Sequence, residues 1–390
     1  MVQADRGDYT PLLGIRRKSL GVICVGTVMN VCWRAVFLLG KRSILPKYLY
    51  PDQKKTNEYP TYLLIGLTNL CTTLCKFCYR RDLDLRPAFF PVERYESLMD
   101  ELGPHLDILE FSGIGEPLLH KDFRRFVLYT RRKFGPGKLT LRLVSNGSLL
   151  GEQMRRFLVH QSFGQVWFSV NAATIETYSK IMPHLDFDGL CKSVYELVAL
   201  RNILGLRVPH VHLSFVVTRD NYFEAEKFVD LAFEMGADSI SIRPLDKELN
   251  PRIFWEQQPP KEEFDPILER IEDRTRQDKR VWCAPRWGFF PKAYQETRDK
   301  STAISCGNAE NTFGVYFTSG EVTFCCYMAA EIENEINCLG NIYDSSALEI
   351  WNGPRAQAFR RSMKDIRAAP DICLRCSNFW NKEWVCPSNG

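Results

Sequence analysis

The chain has 390 residues, enough for more than one hydrophobic core. Apolar and aromatic residues supply 45% and charged residues 25%, proportions that exclude a disordered or fibrous chain. The net charge of +4 arises from 51 basic and 47 acidic residues interspersed along the chain, so no basic stripe points to nucleic acid and no nucleic-acid partner is expected.

The first element is an apolar stretch, Leu20 to Gly40, behind the basic run Arg16, Arg17 and Lys18. It is nearly long enough to span a bilayer, yet Asn30 and Arg34 interrupt it. With Thr27 and Lys41 they recur at helical spacing and form one narrow polar stripe. A central Arg costs about 2.5–3.5 kcal/mol on insertion scales, so residues 20–40 are expected to dock on protein or attach peripherally to a membrane, ahead of spanning it. The 14 cysteines sit in a long chain without a cleavable signal and group at metal-ligand spacings, which points to a reducing cytoplasm, with possible membrane association through that helix as the qualification.

From residue 57 to 250, short apolar stretches rich in β-branched residues alternate with amphipathic ones. Strands are predicted at 61–68, 106–113, 139–146, 165–172, 211–218 and 238–245, with helical stretches between them such as VERYESLMDEL and YFEAEKFVDLAFEMG. Repeated strand–helix units imply a parallel sheet in an α/β fold, either a βα barrel or a doubly wound sheet. In a barrel, chemistry gathers at the C-terminal rim of the strands. Here each unusual polar motif follows a strand. Cys71, Cys75 and Cys78 follow the first, Gly113-Ile114-Gly115-Glu116-Pro117 the second, Ser145-Asn146-Gly147 the third, and Ser169-Val170-Asn171 closes the fourth. Three cysteines are one short of a tetrahedral zinc site, and no fourth Cys or His follows Cys78 at finger spacing.

The spacing C-x3-C-x2-C with aromatic Phe77 before its last cysteine, followed by the glycine-rich second-strand motif, resembles the radical S-adenosylmethionine (SAM) enzymes. The likeness covers about residues 57–250. It implies a partial (β/α)6 TIM-like barrel and a 4Fe–4S cluster on Cys71, Cys75 and Cys78, whose fourth iron takes SAM, together with a reductant such as flavodoxin or ferredoxin. It further implies that Gly113, Gly115, Glu116, Pro117 and Asn146 belong to the cofactor site, with Glu116 and the backbone beside Gly115 hydrogen-bonding the methionyl ammonium. Ser145, Ser169 and Asn171 would face the ribose, and Phe77 and Tyr79 would line the adenine side. Ile114, between the two glycines, departs from the family's pattern. Arg243, ending the sixth strand, suits a carboxylate in the mouth or, equally, a surface ion pair.

Residues 251–300 read as a connecting segment. Within it, Cys283 is a candidate catalytic thiol that would return a hydrogen atom to a substrate radical. Residues 301–390 hold Cys306, then Gly320 five residues before Cys325, then Cys373 and Cys376. A β-hairpin is expected across Phe313 to Tyr327, turning at Ser319-Gly320. The pattern resembles the SPASM/twitch extension of the same superfamily, but only Cys386 follows the C-x2-C pair. One auxiliary 4Fe–4S cluster is therefore expected, on Cys306, Cys325, Cys373 and Cys376, accepting an electron in a net oxidation.

Residues 1–56 read as too short and too apolar for the leader-binding domain that peptide modifiers often carry. The expected substrate is accordingly a small molecule such as a sugar, cyclitol or nucleoside, with a peptide- or protein-modifying maturase or epimerase as the alternative. An iron–sulfur electron carrier or redox sensor would explain both cysteine sets but leaves the rim motifs without purpose.

Overall fold

The computed structural model describes residues 58–247, 249–284, 306–364 and 368–376. The apolar stretch at 20–40 lies outside them; among the described residues no helix is long and apolar enough to cross a membrane.

Eight strands form one sheet: β1 (Tyr62–Ile65), β2 (Ile108–Phe111), β3 (Thr140–Ser145), β4 (Gln165–Ser169), β5 (His210–Val217), β6 (Ser239–Pro244), β7 (Val281–Cys283) and β8 (Thr312–Val315). Their spatial order is β7-β6-β5-β4-β3-β2-β1-β8 and every pairing is parallel. The crossovers run through α1 (Val92–Leu102), α2 (Phe123–Lys138), α3 (Glu152–His160), α4 (Ile175–Ile181), α5 (Phe187–Ile203), α6 (Ala225–Glu234) and α7 (Lys261–Gln277). The six strands of the barrel are thus joined by one more on each edge, β7 from the connecting segment and β8 from the cysteine-rich tail.

Alternation along the strands sorts the side chains into two environments. One face is apolar: Leu109, Phe111, Leu141, Leu143, Val166 and Phe168 pack into the main core with helix residues such as Tyr95, Phe126 and Val194. The other face turns inward and is polar at its base, carrying Glu110, Arg142, Trp167, His212 and Ser241 in successive strands. Above them, Leu64, Ile114, Tyr316 and Phe317 form a second small apolar cluster. Ile114, the departure in the second-strand motif, is buried there.

The hairpin exists in a reduced form. Gly314 and Thr323 exchange both backbone hydrogen bonds at 2.9 Å, but the first arm is β8 itself, committed on its other side to β1. The turn requires Gly320, whose φ is 91°. The second arm, β9 (Glu321–Val322), pairs with β10 (Gly340–Asn341) in a separate two-stranded sheet.

Candidate metal centre at the barrel mouth

After β1 the chain crosses the rim into the cysteine loop, which is clamped from two sides. Leu70 N donates to Thr68 Oγ1 at 3.1 Å and Ala88 N to Asn69 Oδ1 at 2.9 Å. From across the mouth, Thr73 Oγ1 donates to Pro183 O and Lys76 N to Ile181 O, both at 2.9 Å. Gly115 closes the second approach: a Cβ there would lie 2.3 Å from both Thr68 O and Leu70 O, so only glycine lets the second rim turn reach the loop. Glu116 N then donates to Leu70 O at 2.8 Å.

Cys71, Cys75 and Cys78 are all partly exposed thiols. Burial pushes each of them up, Cys75 to about 12, and Cys75 is raised further by Cys78 and Cys71. Three thiols within mutual electrostatic reach repel one another as thiolates, and a bound cationic centre reverses that logic by displacing their protons. Among the described residues, no three His, Cys, Asp or Glu side chains converge tightly enough to chelate a single ion. Three thiols on one short loop clamped from both sides fit the three-cysteine ligation of an iron–sulfur cluster.

Several of the expected rim residues have partners within the protein. Both carboxylate oxygens of Glu116 are engaged within the protein. Oε1 accepts from Ser145 Oγ at 2.8 Å and Leu118 N at 3.2 Å, and Oε2 from Asn146 N at 2.9 Å. Full burial raises its pKa to about 7 against the lowering effect of these donors. Glu116 therefore fixes the rim after β3 from within the protein. Ser145 is buried on the side that alternation after Leu143 demands, with its hydroxyl committed to Glu116. Asn171, in a left-handed conformation with φ 60°, accepts from Val216 N at 2.9 Å through its side chain and so staples β4 to β5. Asn146 turns to the cysteine loop, with Nδ2 at 3.0 Å from Thr72 Oγ1 and 3.5 Å from Cys71 Sγ. Gly113, at φ 136°, and Pro117, which opens a short 3-10 turn, shape the same rim.

Of the remaining expected residues, Phe77 packs on the main core and Tyr79 on the inner cluster with Tyr316. Ser169 is partly exposed on the inner face beside Ser214 of β5. Arg243 is exposed at the end of β6, and no carboxylate among the described residues pairs with it. Cys283 is a correction. It is in register with Ile242, a helix-side core residue, so it sits on the outer face while Trp282 takes the inner one. The thiol that packs against the inner cluster is Cys326, near Asp246 and Arg243, pushed up to about 12 chiefly by burial. From the sequence Cys326 reads only as a buried small hydrophobe, since no local spacing sets it apart.

In the tail, Cys306 begins α8 (Gly307–Asn311), Cys325 precedes α9 (Cys326–Ala330), and Cys373 lies within α12 (Asp371–Arg375), whose C-terminal cap is Cys376. Two short helices, α10 (Ala347–Asn352) and α11 (Pro354–Ser362), lie between. The Cys325 thiol is raised by burial and then by Cys326, Cys306 and Cys376, and Cys373 by burial, to about 12, and then by Cys306. The fold thus brings these four expected cysteines into one neighbourhood.

Comparison with known families matches residues 65–232 to the Radical SAM superfamily and residues 306–377 to SPASM, an iron–sulfur cluster-binding domain. The chain is a radical SAM protein with a C-terminal SPASM domain. To the radical SAM and SPASM domains belong a SAM-binding 4Fe–4S cluster, an auxiliary iron–sulfur cluster and S-adenosylmethionine. This radical SAM chain is 23% identical to the tungsten-containing aldehyde ferredoxin oxidoreductase cofactor-modifying protein of Pyrococcus furiosus, over 81% of its own length and 87% of the relative's. It is 25% identical to the PqqA peptide cyclase of Gluconobacter oxydans, over 81% and 82%. Among solved structures, SuiB of Streptococcus suis bound to its precursor peptide SuiA shares the fold, with a TM-score of 0.60 and 14% identity over 82% of this chain and 70% of that one.

Proposed function

We propose that this radical SAM protein modifies a peptide or protein substrate, abstracting a hydrogen atom from it within the barrel. Cys71, Cys75 and Cys78 hold the SAM-binding cluster, and Cys306, Cys325, Cys373 and Cys376 the auxiliary one. The bound cluster and SAM together supply a 5'-deoxyadenosyl radical. The chain's own residues orient and shield. The rim turns at Gly115 and Asn146 brace the cysteine loop, the second apolar cluster around Leu64 and Tyr316 excludes water, and Arg243 offers a guanidinium to a substrate carboxylate. Four thiolates on the auxiliary cluster leave no open iron, which suits electron acceptance after hydrogen abstraction. A flavodoxin or ferredoxin is the fitting electron source.

The observation that carries the substrate class is the relatives' chemistry at long coverage: a PqqA peptide cyclase matches four fifths of the chain, and SuiB holds a precursor peptide. That favours a peptide over the sugar, cyclitol or nucleoside that the short N-terminal region suggested. The test is anaerobic. Reconstituted protein, dithionite and SAM are expected to yield 5'-deoxyadenosine, and Cys75→Ala to lose both that product and the brown chromophore of this site. Peptides encoded beside the gene are then offered, with mass spectrometry as the readout. Modification of one of them supports the reading; unmodified peptides alongside a sugar, cyclitol or nucleoside that is oxidised would overturn it.

A further inference from the structure

Two buried hydrogen-bond donors beside the cysteine loop end without an acceptor. Tyr178, on α4, is 1% exposed, and its hydroxyl has no partner among the described residues. Arg80 lies in the 3-10 turn Tyr79–Asp82 directly after the loop. Its terminal nitrogens are used on backbone, Nη1 on Asn69 O at 3.4 Å and Nη2 on Thr73 O at 3.2 Å, while the buried Nε has no partner. Buried donors are almost always hydrogen-bonded, so two unpaired ones around one short loop call for an acceptor.

Their placement says where that acceptor lies. The C-terminal end of α4 is fastened to the loop, because Lys76 N donates to Ile181 O at 2.9 Å, one turn after Tyr178. Thr73 Oγ1 donates to Pro183 O, also at 2.9 Å, two residues further on. The Tyr178 phenol lies in the field of Cys75, and the Arg80 guanidinium acts on Cys71 and Cys78. The two donors therefore flank the triplet from different elements, Tyr178 from α4 and Arg80 from the turn after the loop.

We propose that Tyr178 Oη and Arg80 Nε donate hydrogen bonds to sulfur atoms of the cluster held by Cys71, Cys75 and Cys78, and that these bonds raise its reduction potential. The inference rests on the cluster assignment above. The couple takes up one electron from an external reductant, and no proton or covalent bond of the protein changes. Each hydrogen bond strengthens as the sulfurs gain negative charge, so it favours the reduced form. Tyr178 also lies near Cys191 of α5, which supplies a control.

The test uses the full chain, reconstituted anaerobically and titrated with dithionite under EPR, following the cluster signal that changes when SAM is added. Tyr178→Phe preserves the ring and removes only the hydroxyl. It is expected to retain its iron and to be harder to reduce, by about tenfold in the equilibrium constant, or about 59 mV for a one-electron couple. Arg80→Lys, which keeps the charge but loses Nε, is expected to shift the same way, and Cys191→Ala not at all. In the unaltered protein, pulsed EPR after exchange into D2O is expected to show deuterons coupled to the reduced cluster, one of them missing in Tyr178→Phe. An unchanged potential in Tyr178→Phe with full iron, or no exchangeable coupling in the unaltered protein, overturns the inference and leaves the cluster assignment standing. Absence of any SAM-responsive cluster overturns the assignment itself.

Discussion

Glu110 and Arg142 are opposite charges in adjacent strands, 9% and 6% exposed, inside a barrel whose outer face is apolar. Arg142 Nη1 reaches Glu110 Oε2 at 3.1 Å and Tyr62 OH at 3.0 Å, and its guanidinium lies over the Trp167 ring at 4.8 Å. Such a pair adds little net stability, because desolvating both ions offsets their attraction; breaking it is another matter. Arg142→Met would leave a buried carboxylate unpaired and is expected to cost about 3–5 kcal/mol in denaturant unfolding. Adding Glu110→Gln should restore a large part of that loss, because the uncompensated charge is then gone. Additive losses in the double variant would mean that packing, not charge, sets the cost.

At the scale of elements, β5 and β6 are joined on the inner face by histidine–serine contacts as well as by their ladder. His212 Nδ1 lies 2.8 Å from Ser239 Oγ and Nε2 2.8 Å from Ser241 Oγ, and His210 Nε2 lies 2.7 Å from Ser239 Oγ. Burial depresses both imidazoles, His212 well below its ordinary value, with His210, Arg243 and Arg142 adding to the effect on His212. The sign follows from proton counting. Below about pH 6.5 the unfolded chain takes up protons that the folded chain refuses, so this contribution is present above that pH and is lost as pH falls. Glu116 works the other way: its folded pKa of about 7 lies above the ordinary 4.5, so its contribution is present at low pH and is lost as pH rises through about 7. The useful quantity is therefore a difference. Between about pH 7.5 and about pH 5.5, the metal-free protein is expected to lose more stability to urea than His212→Gln does; equal losses would sink the assignment of this slope to His212.

For the whole molecule, the decisive join is that the SPASM part completes the barrel sheet. β8 pairs with β1 in register from Tyr62↔Thr312 to Ile65↔Val315. Gly66 permits the close approach, since a Cβ there would lie 2.2 Å from Tyr316 O. On the outside, the Glu101 carboxylate of α1 accepts Ala347 N at 2.9 Å and Leu348 N at 2.7 Å, capping α10 from the barrel. A chain truncated after residue 300 would open the edge of β1 and expose the core under β8. It is expected to aggregate or to require detergent during purification. A monomeric, iron-loaded truncation on size exclusion would show the two parts to be independent.

The sequence alone determined the six-strand repeat, the rim position of each polar motif and the cysteine set, because hydrophobic periodicity and ligand spacing are local properties written in neighbouring residues. The same periodicity already held a sign of the buried pair, since Glu110 and Arg142 are charges at inward positions of otherwise apolar strands. What only the tertiary structure decided depends on contacts between residues far apart in the chain. β8 closes on β1 across some 250 residues of sequence. Glu116 turns to Ser145 and Asn146 instead of outward, Cys283 falls on the outer face while Cys326 packs inward, and Tyr178 and Arg80 converge on one loop. In each case register and packing between distant elements, which no local pattern encodes, set the direction in which a side chain points.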